Sequence, residues 1–222
     1  MTTALIIGAS GGIGSACMDW LRTAGYTVYG TYLTNPRDGL HLLSVTDQHN
    51  MQQILHMIKP LHVIVNCAGF LEQKPYTDIS NSDWDMVMNI NLYGTFNVLR
   101  CAMPIMLEQK TGCIVNMASI GGQTGGTLAV HYAAAKAGVI SLTKSFARIG
   151  APYVRVNCVS PGLIATEMTK AEIASASGKD KINSIPLGRV GTAEEVAKAV
   201  MYLVDNGYVT GQVINVNGGA YI

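Results

Sequence analysis

Short apolar, β-branched runs alternate along the chain with stretches of ten to fifteen residues in which apolar positions recur at helical period, and glycine or proline stands between them. Strands are expected over residues 4–7, 27–31, 63–66, 113–117, 154–159 and 213–216, with a weaker candidate over 40–45. Helices are expected over residues 13–24, 48–58, 84–106, 131–149 and 193–204. A strand, a helix and a second strand in succession make a parallel pair, because the helix carries the chain back to the starting edge of the sheet. Repeated, this unit predicts an α/β fold: a doubly wound parallel sheet of the Rossmann type, in three α/β/α layers. The carboxyl ends of the strands then gather along one edge, where such sheets bind ligands.

At 222 residues the chain is expected to form a single domain over 1–222, with its site built into the same unit. Hydrophobic residues make up 49% and charged ones 13%, which suits a sheet buried beneath helices and excludes a disordered chain. The most polar stretch, 166–184, is expected to be a mobile lid over the site. A formal net charge of +1 with scattered basic residues argues against nucleic acid or an anionic membrane as partner. The apolar run ALII has no basic lead and is too short for a signal peptide or a spanning helix, so a cytoplasmic location is expected. Five cysteines, odd in number and without CxxC spacing, point to reduced core thiols. The five histidines form no ligand pattern, and no metal is expected.

Three features carry chemistry. The turn GASGGIG at 8–14 follows the first strand, and Gly8, Gly12 and Gly14 there permit a tight turn, close backbone approach to a pyrophosphate and close helix packing. A purely structural turn is the alternative. Tyr132 and Lys136 lie four residues apart and share a helix face. A phenol with a pKa near 10 is a sluggish proton donor or acceptor at neutral pH, and a nearby ammonium is expected to lower that value. An ordinary amphipathic helix would look the same. Ser119 closes the strand IVNMAS ahead of GGQTGG, so its hydroxyl can point into a cleft at the sheet edge, or serve as a turn residue.

In this order and spacing, these features resemble the short-chain dehydrogenase/reductase family, and among its classical members the 3-oxoacyl-[acyl-carrier-protein] reductases. The resemblance runs from about residue 5 to 219 and includes VNCAG at 65–69, NLYGTF at 91–96, YAAAK at 132–136, PGLIAT at 161–166, IPLGRVGTAEEVA at 185–197 and the terminal TGQVINVNGG. It implies four catalytic positions: Asn91, Ser119, Tyr132 and Lys136. Tyr132 would give a proton to a carbonyl oxygen as a nicotinamide delivers hydride, and Ser119 would hydrogen-bond that oxygen. Lys136 would hold the nicotinamide ribose and keep the phenol acidic, while Asn91 would interrupt its helix and order a water. The resemblance also implies cofactor contacts from Gly8, Ser10, Gly11, Gly12, Ile13 and Gly14 at the phosphates, and from Asn66, Ala68 and Gly69 beside the adenosine. Pro161, Gly162, Ile164 and Thr166 would surround the nicotinamide, with the backbone of Ile164 reaching its carboxamide.

Departures from the family pattern are Ile7, Cys67 and Asn217, where threonine, asparagine and aspartate are usual. Between Tyr32 and Val45 the usual crossover helix and third strand are compressed, and Ser44 stands where an adenine-contacting aspartate is usual. No acid follows Tyr32 directly; Thr34, Asn35 and Arg37 suit a 2′-phosphate, so NADPH is the expected cofactor, with NADH the alternative and a merely solvated Arg37 left open. The expected substrate is a ketone, a 3-oxoacyl thioester on acyl carrier protein in fatty acid or polyketide type synthesis. A free quinone, sugar, polyol or cyclic ketone is the alternative, and a non-catalytic nucleotide sensor the remote one. The small residues of GGQTGGTLA suit a slender acyl chain or close packing. The family's carrier-docking positions match Lys110 and Lys170, expected near the mouth of the cleft unless they are simply solvated, and family members assemble as homotetramers through the helices at 84–106 and 131–149.

Overall fold

The computed structural model describes residues 2–222. Seven strands form one parallel sheet in the order β3-β2-β1-β4-β5-β6-β7. They are β1 (Thr3–Ile7), β2 (Thr27–Tyr32), β3 (Leu40–Leu42), β4 (Val63–Asn66), β5 (Gly112–Met117), β6 (Val154–Pro161) and β7 (Val213–Val216). The central strands read TALII and VIVN without polar alternation because helices cover both faces, and each of their positions is buried.

On one face, Cys17, Met18 and Leu21 of α1 (Gly12–Thr23) pack with Val196, Val200 and Leu203 of α9 (Ala193–Asp205). The other face carries α2 (Gln48–Met57), α4 (Gly94–Gln109) and α6 (Val130–Gly150), the last preceded by the short α5 (Gly121–Thr124), with Met51, Leu55, Val98, Leu99 and Met106 in its core. Helix starts follow local chemistry. The Asp47 carboxylate accepts the Asn50 N–H at 3.0 Å, and Thr192 with Glu195 forms a capping box ahead of α9. The far end of α9 is tied to β6, since Arg155 donates to the carbonyls of Leu203, Val204 and Val209.

Two elements differ from expectation. The helix expected over 84–106 begins earlier, with α3 at Asn81–Met88, and is interrupted at Asn91 as the resemblance implied, by a π-helical turn over Asn89–Tyr93 before α4. The early start is a capping box, Ser80 with Asp83, carried by the sequence SNSD. Between β2 and β3 there is no helix, and β3 stops at Leu42 instead of reaching residue 45. A Cβ on Gly30 would sit 2.6 Å from the Leu40 side chain and 3.0 Å from Met18 Sδ, so Leu40 lies across β2 toward α1 in the space a side chain at position 30 would fill. Beyond Leu42 the chain dips to bury Leu43 and Val45 in the opposite core.

The segment 166–184 is folded into a 3-10 turn (Glu167–Thr169) and two short helices, α7 (Lys170–Ala174) and α8 (Ala176–Ser184). All five cysteines are free thiols. Among the described residues no helix is long and apolar enough to cross a membrane.

Candidate active site

The site assembles where β1, β4, β5 and β6 end. After Ile7 the chain turns through Gly8 at φ +78°, a conformation that favours glycine. A Cβ on Gly14 would lie 2.2 Å from the Gly8 carbonyl oxygen, so α1 can start this close to the turn only with glycine there. Thr31 fixes the turn to β2, accepting the Gly8 N–H on Oγ1 at 3.2 Å and the Ala9 N–H on its carbonyl at 2.8 Å. The N-cap of α1 is Gly11, which has no side chain to satisfy the first-turn amides, and Ser10, Gly11, Gly12 and Ile13 are all at least partly exposed around them. Such an end is an anion site, and this cradle fits the pyrophosphate of a dinucleotide. Arg37, on the loop at 33–39, reaches Ser15 Oγ at 3.5 Å beside this helix end, and Asn35 is exposed on the same loop.

The turn after β4 is held from inside. Asn66 is buried, donating from Nδ2 to Thr95 Oγ1 (3.3 Å) and accepting the Ala68 N–H on Oδ1 (3.3 Å). Its side-chain amide thus shapes the turn expected beside the adenosine. Ala68 and Gly69 follow, and a Cβ on Gly69 would meet Asn91 Oδ1 at 3.1 Å and Lys136 Nζ at 3.4 Å. Two of the four expected catalytic side chains therefore converge on that glycine.

Asn91 sits fully buried on the π turn. It donates from Nδ2 to the carbonyls of Val87 (2.9 Å) and Phe70 (2.8 Å), and accepts the Phe70 N–H at 3.2 Å. The widened turn lets one asparagine bond to its own helix and to the loop after β4 at once. Ser119 follows β5, and its Oγ accepts the Gly121 N–H at 3.2 Å. Gly122 then closes on α6, since a Cβ there would lie 2.7 Å from the Lys136 carbonyl carbon. Close packing thus accounts for part of GGQTGG.

Tyr132 and Lys136 stand one turn apart on α6, with Lys136 Nζ 5.5 Å from the phenol ring centroid and donating to the Met117 carbonyl at 2.8 Å. Burial lowers the Lys136 pKa to about 8, an effect that the thiols of Cys67 and Cys158 oppose. Burial raises the Tyr132 phenol to about 12, and the hydrogen bond from Ser119 is what opposes that rise. The expectation that Lys136 would make the phenol more acidic is therefore not met. Desolvation dominates, and the ammonium is turned to a backbone carbonyl. A phenol in this state is protonated at neutral pH, as one at its ordinary value also is.

After β6, Gly162 donates its N–H to the Val216 carbonyl at 2.9 Å, beside the buried Pro161. The Thr169 hydroxyl donates to the Ile164 carbonyl, which orders the backbone expected to reach the carboxamide. Thr166 Cγ2 lies 3.1 Å from where a Cβ on Gly12 would be, bringing the phosphate turn against the loop after β6. Of the departures, Ser44 bonds to Thr46 Oγ1 at 2.8 Å, and Asn217 accepts the Gly219 N–H at 2.9 Å.

Lys170 is on α7 at the carboxyl edge, paired with Glu167 at 3.5 Å. Lys110 caps the end of α4 at φ 54°, two residues before β5 begins, and so lies at the amino edge. Within one chain the two lysines cannot flank a single mouth, because the length of β5 separates that edge from Ser119. Sequence reading missed Thr31, Thr95 and the Met117 carbonyl, which act by holding other site residues. A polar residue inside an otherwise apolar strand, as at Thr31, was the available signal.

The family model described as "Enoyl-(Acyl carrier protein) reductase" matches residues 8–221. The chain is 36% identical to the 3-oxoacyl-[acyl-carrier-protein] reductase FabG of Thermotoga maritima, over 98% of this chain and 97% of that protein. Among solved structures, a short-chain type dehydrogenase/reductase from Mycobacterium ulcerans superposes with a TM-score of 0.92 at 30% identity, covering 99% of this chain and 89% of that one. The aldohexose dehydrogenase of Thermoplasma acidophilum superposes with a TM-score of 0.89 at 26% identity, covering 99% and 93%.

Proposed function

Because the chain belongs to the short-chain dehydrogenase/reductase family, and is thus an NAD(P)-dependent oxidoreductase acting on alcohol or carbonyl groups, we propose that it is a cytoplasmic, homotetrameric, NADPH-dependent reductase of 3-oxoacyl thioesters on acyl carrier protein. The observation that carries this reading is the convergence of the four groups at one sheet edge: Asn91 and Lys136 meet at Gly69, and Tyr132 stands one helical turn from Lys136 and beside Ser119. When bound, the nicotinamide supplies hydride to the carbonyl carbon. Tyr132 gives its proton to the oxygen, and the Ser119 hydroxyl donates to that oxygen as negative charge grows, which stabilises the transition state more than the ground state. Lys136, charged at neutral pH, binds the ribose hydroxyls. Asn91 holds the loop after β4 against Lys136, with a water relay at its backbone restoring the proton to Tyr132.

Similarity over nearly the full length of a 3-oxoacyl-[acyl-carrier-protein] reductase supports the thioester substrate. Lys170 at the carboxyl edge is the docking residue for the acidic carrier, and Lys110 takes part only from a neighbouring copy. A second reading, a free sugar or polyol, is favoured by the likeness to an aldohexose dehydrogenase. Following NADPH consumption with acetoacetyl thioesters, quinones, cyclic ketones and sugars is expected to give the highest kcat/KM with the thioesters. Preference for a free sugar would replace this reading with the second.

The NADPH preference rests on Arg37 beside Ser15 at the start of α1. Arg37→Glu is expected to raise the KM for NADPH about tenfold and to leave that for NADH within about twofold, since one charge-assisted bond to phosphate is lost and a repulsion added. An unchanged NADPH-to-NADH ratio would remove Arg37 from the argument.

A further inference from the structure

We infer that Gln73 and Glu172 are positioning residues that latch together the two banks of the cleft on either side of Ser119. Strand order sets the geometry. β5 lies between β4 and β6, so a bond from the loop after β4 to the excursion after β6 joins the two sides of β5, at whose carboxyl end Ser119 stands. One such bond is present: Gln73 Nε2 donates to Glu172 Oε2 at 2.9 Å, across ninety-nine residues of sequence.

Both ends of the latch are tied to the site. On the first bank, the Phe70 backbone is bonded to Asn91, and the Lys74 N–H donates to the Leu128 carbonyl at 2.8 Å, four residues before Tyr132. Lys74 is further held by Asp83 at 2.9 Å and Glu72 at 3.0 Å, so Gln73 projects from a stiff segment. On the second bank, Glu172 is largely buried, and its other carboxylate oxygen pairs with Lys181 of α8. Its carbonyl accepts the Ser175 hydroxyl at 2.7 Å, and a Cβ on Gly178 would lie 1.9 Å from that same carbonyl oxygen. α7 and α8 are thus packed as one body around Glu172. The excursion begins at Thr166, whose side chain rests on Gly12 of the phosphate turn. One carboxylate therefore joins the internal structure of the excursion to the opposite bank, and breaking its bond to Gln73 frees the excursion while leaving its folding intact.

The kinetic half of this inference rests on the carbonyl-reductase reading. Gln73→Ala removes the crossing bond and keeps the pair between Glu172 and Lys181. It is expected to raise the KM for a short 3-oxoacyl thioester about three- to tenfold, the range for losing one hydrogen bond of ordinary net strength, with the dissociation constant for NADPH within about twofold. Amide hydrogen exchange over 166–184 is expected to speed up in the same variant, while exchange in β1 and β4 stays as it was. Gln73→Lys, which sets an ammonium opposite Glu172, is expected to restore both KM and exchange. Unchanged KM and unchanged exchange over 166–184 in Gln73→Ala would overturn the latch, as would a Gln73→Lys variant no better than Gln73→Ala. Hydrogen exchange needs no turnover, so if the wild type reduces no ketone the functional reading fails on its own and the latch is still decided.

Discussion

Replacing Tyr132 by phenylalanine is expected to lower turnover about 10²- to 10⁴-fold, the range for removing a general acid, with fold and nicotinamide cofactor binding unchanged. The ring stays in its pocket and only the hydroxyl is lost, so the packing of α6 has no reason to change. What disappears is the one proton donor that lies against Ser119 and is protonated at neutral pH, with a pKa of about 12. Ser119 remains as a hydrogen-bond donor, and polarisation of the carbonyl by that single hydroxyl accounts for the residual rate. The test is kcat at saturating NADPH and ketone, beside cofactor titration and thermal melting of the same variant. Turnover within threefold of wild type would show that another group supplies the proton.

Lys136→Met is expected to abolish most turnover and yet to make the chain more stable at neutral pH. Lys136 is 3% exposed and its pKa is lowered to about 8, against roughly 10.4 in an unfolded chain. Below pH 8 the native state must carry a buried charge, and the shift corresponds to a penalty of about 3 kcal/mol. The sign follows from proton counts. Between the two pKa values the unfolded state binds the extra proton, so stability rises with pH across that window and the penalty is gone above it. Urea unfolding of wild type and Lys136→Met is therefore expected to differ most at pH 7 and to converge toward pH 10. The difference between the two proteins is the proper readout, since Cys113 and Cys158, each raised to about 11, pull the absolute stability of both downward as pH climbs past their unfolded values. A wild type as stable as the variant at pH 7 would mean that the Met117 carbonyl and its surroundings offset the burial of the ammonium completely.

Much of the fold was legible because a strand buried on both faces and a helix buried on one leave different periodicities, and these depend on neighbours close in sequence. β1, β4, β5 and β7 fall where apolar runs predict them, and α6 and α9 where helical spacing does. The split of the helix expected over 84–106 was not legible in its apolar pattern, since Met86, Val87, Ile90 and Leu92 read as continuous. The break comes from Asn91, whose amide bonds to Phe70 on a loop that only the folded sheet brings near. The missing helix between β2 and β3 was legible as a shortage of residues, but the way Leu40 lies across Gly30 was not.

The candidate site divides in the same way. By itself the sequence determined which chemical groups are present and in what order: a glycine turn after the first strand, a serine after β5, and a tyrosine and lysine one helical turn apart. Those are properties of residue type and short spacing, fixed by covalent geometry. Tertiary structure alone decided the charge state of those groups, because desolvation depends on every chain segment that excludes water. It drove the phenol toward about 12 and the ammonium toward about 8, and it turned Lys136 to the Met117 carbonyl rather than leaving it to acidify Tyr132. It also decided which lysine faces the cleft and which residues meet across it, since Lys110 and Lys170, or Gln73 and Glu172, acquire a relation only when the strand order brings one edge of the sheet into being.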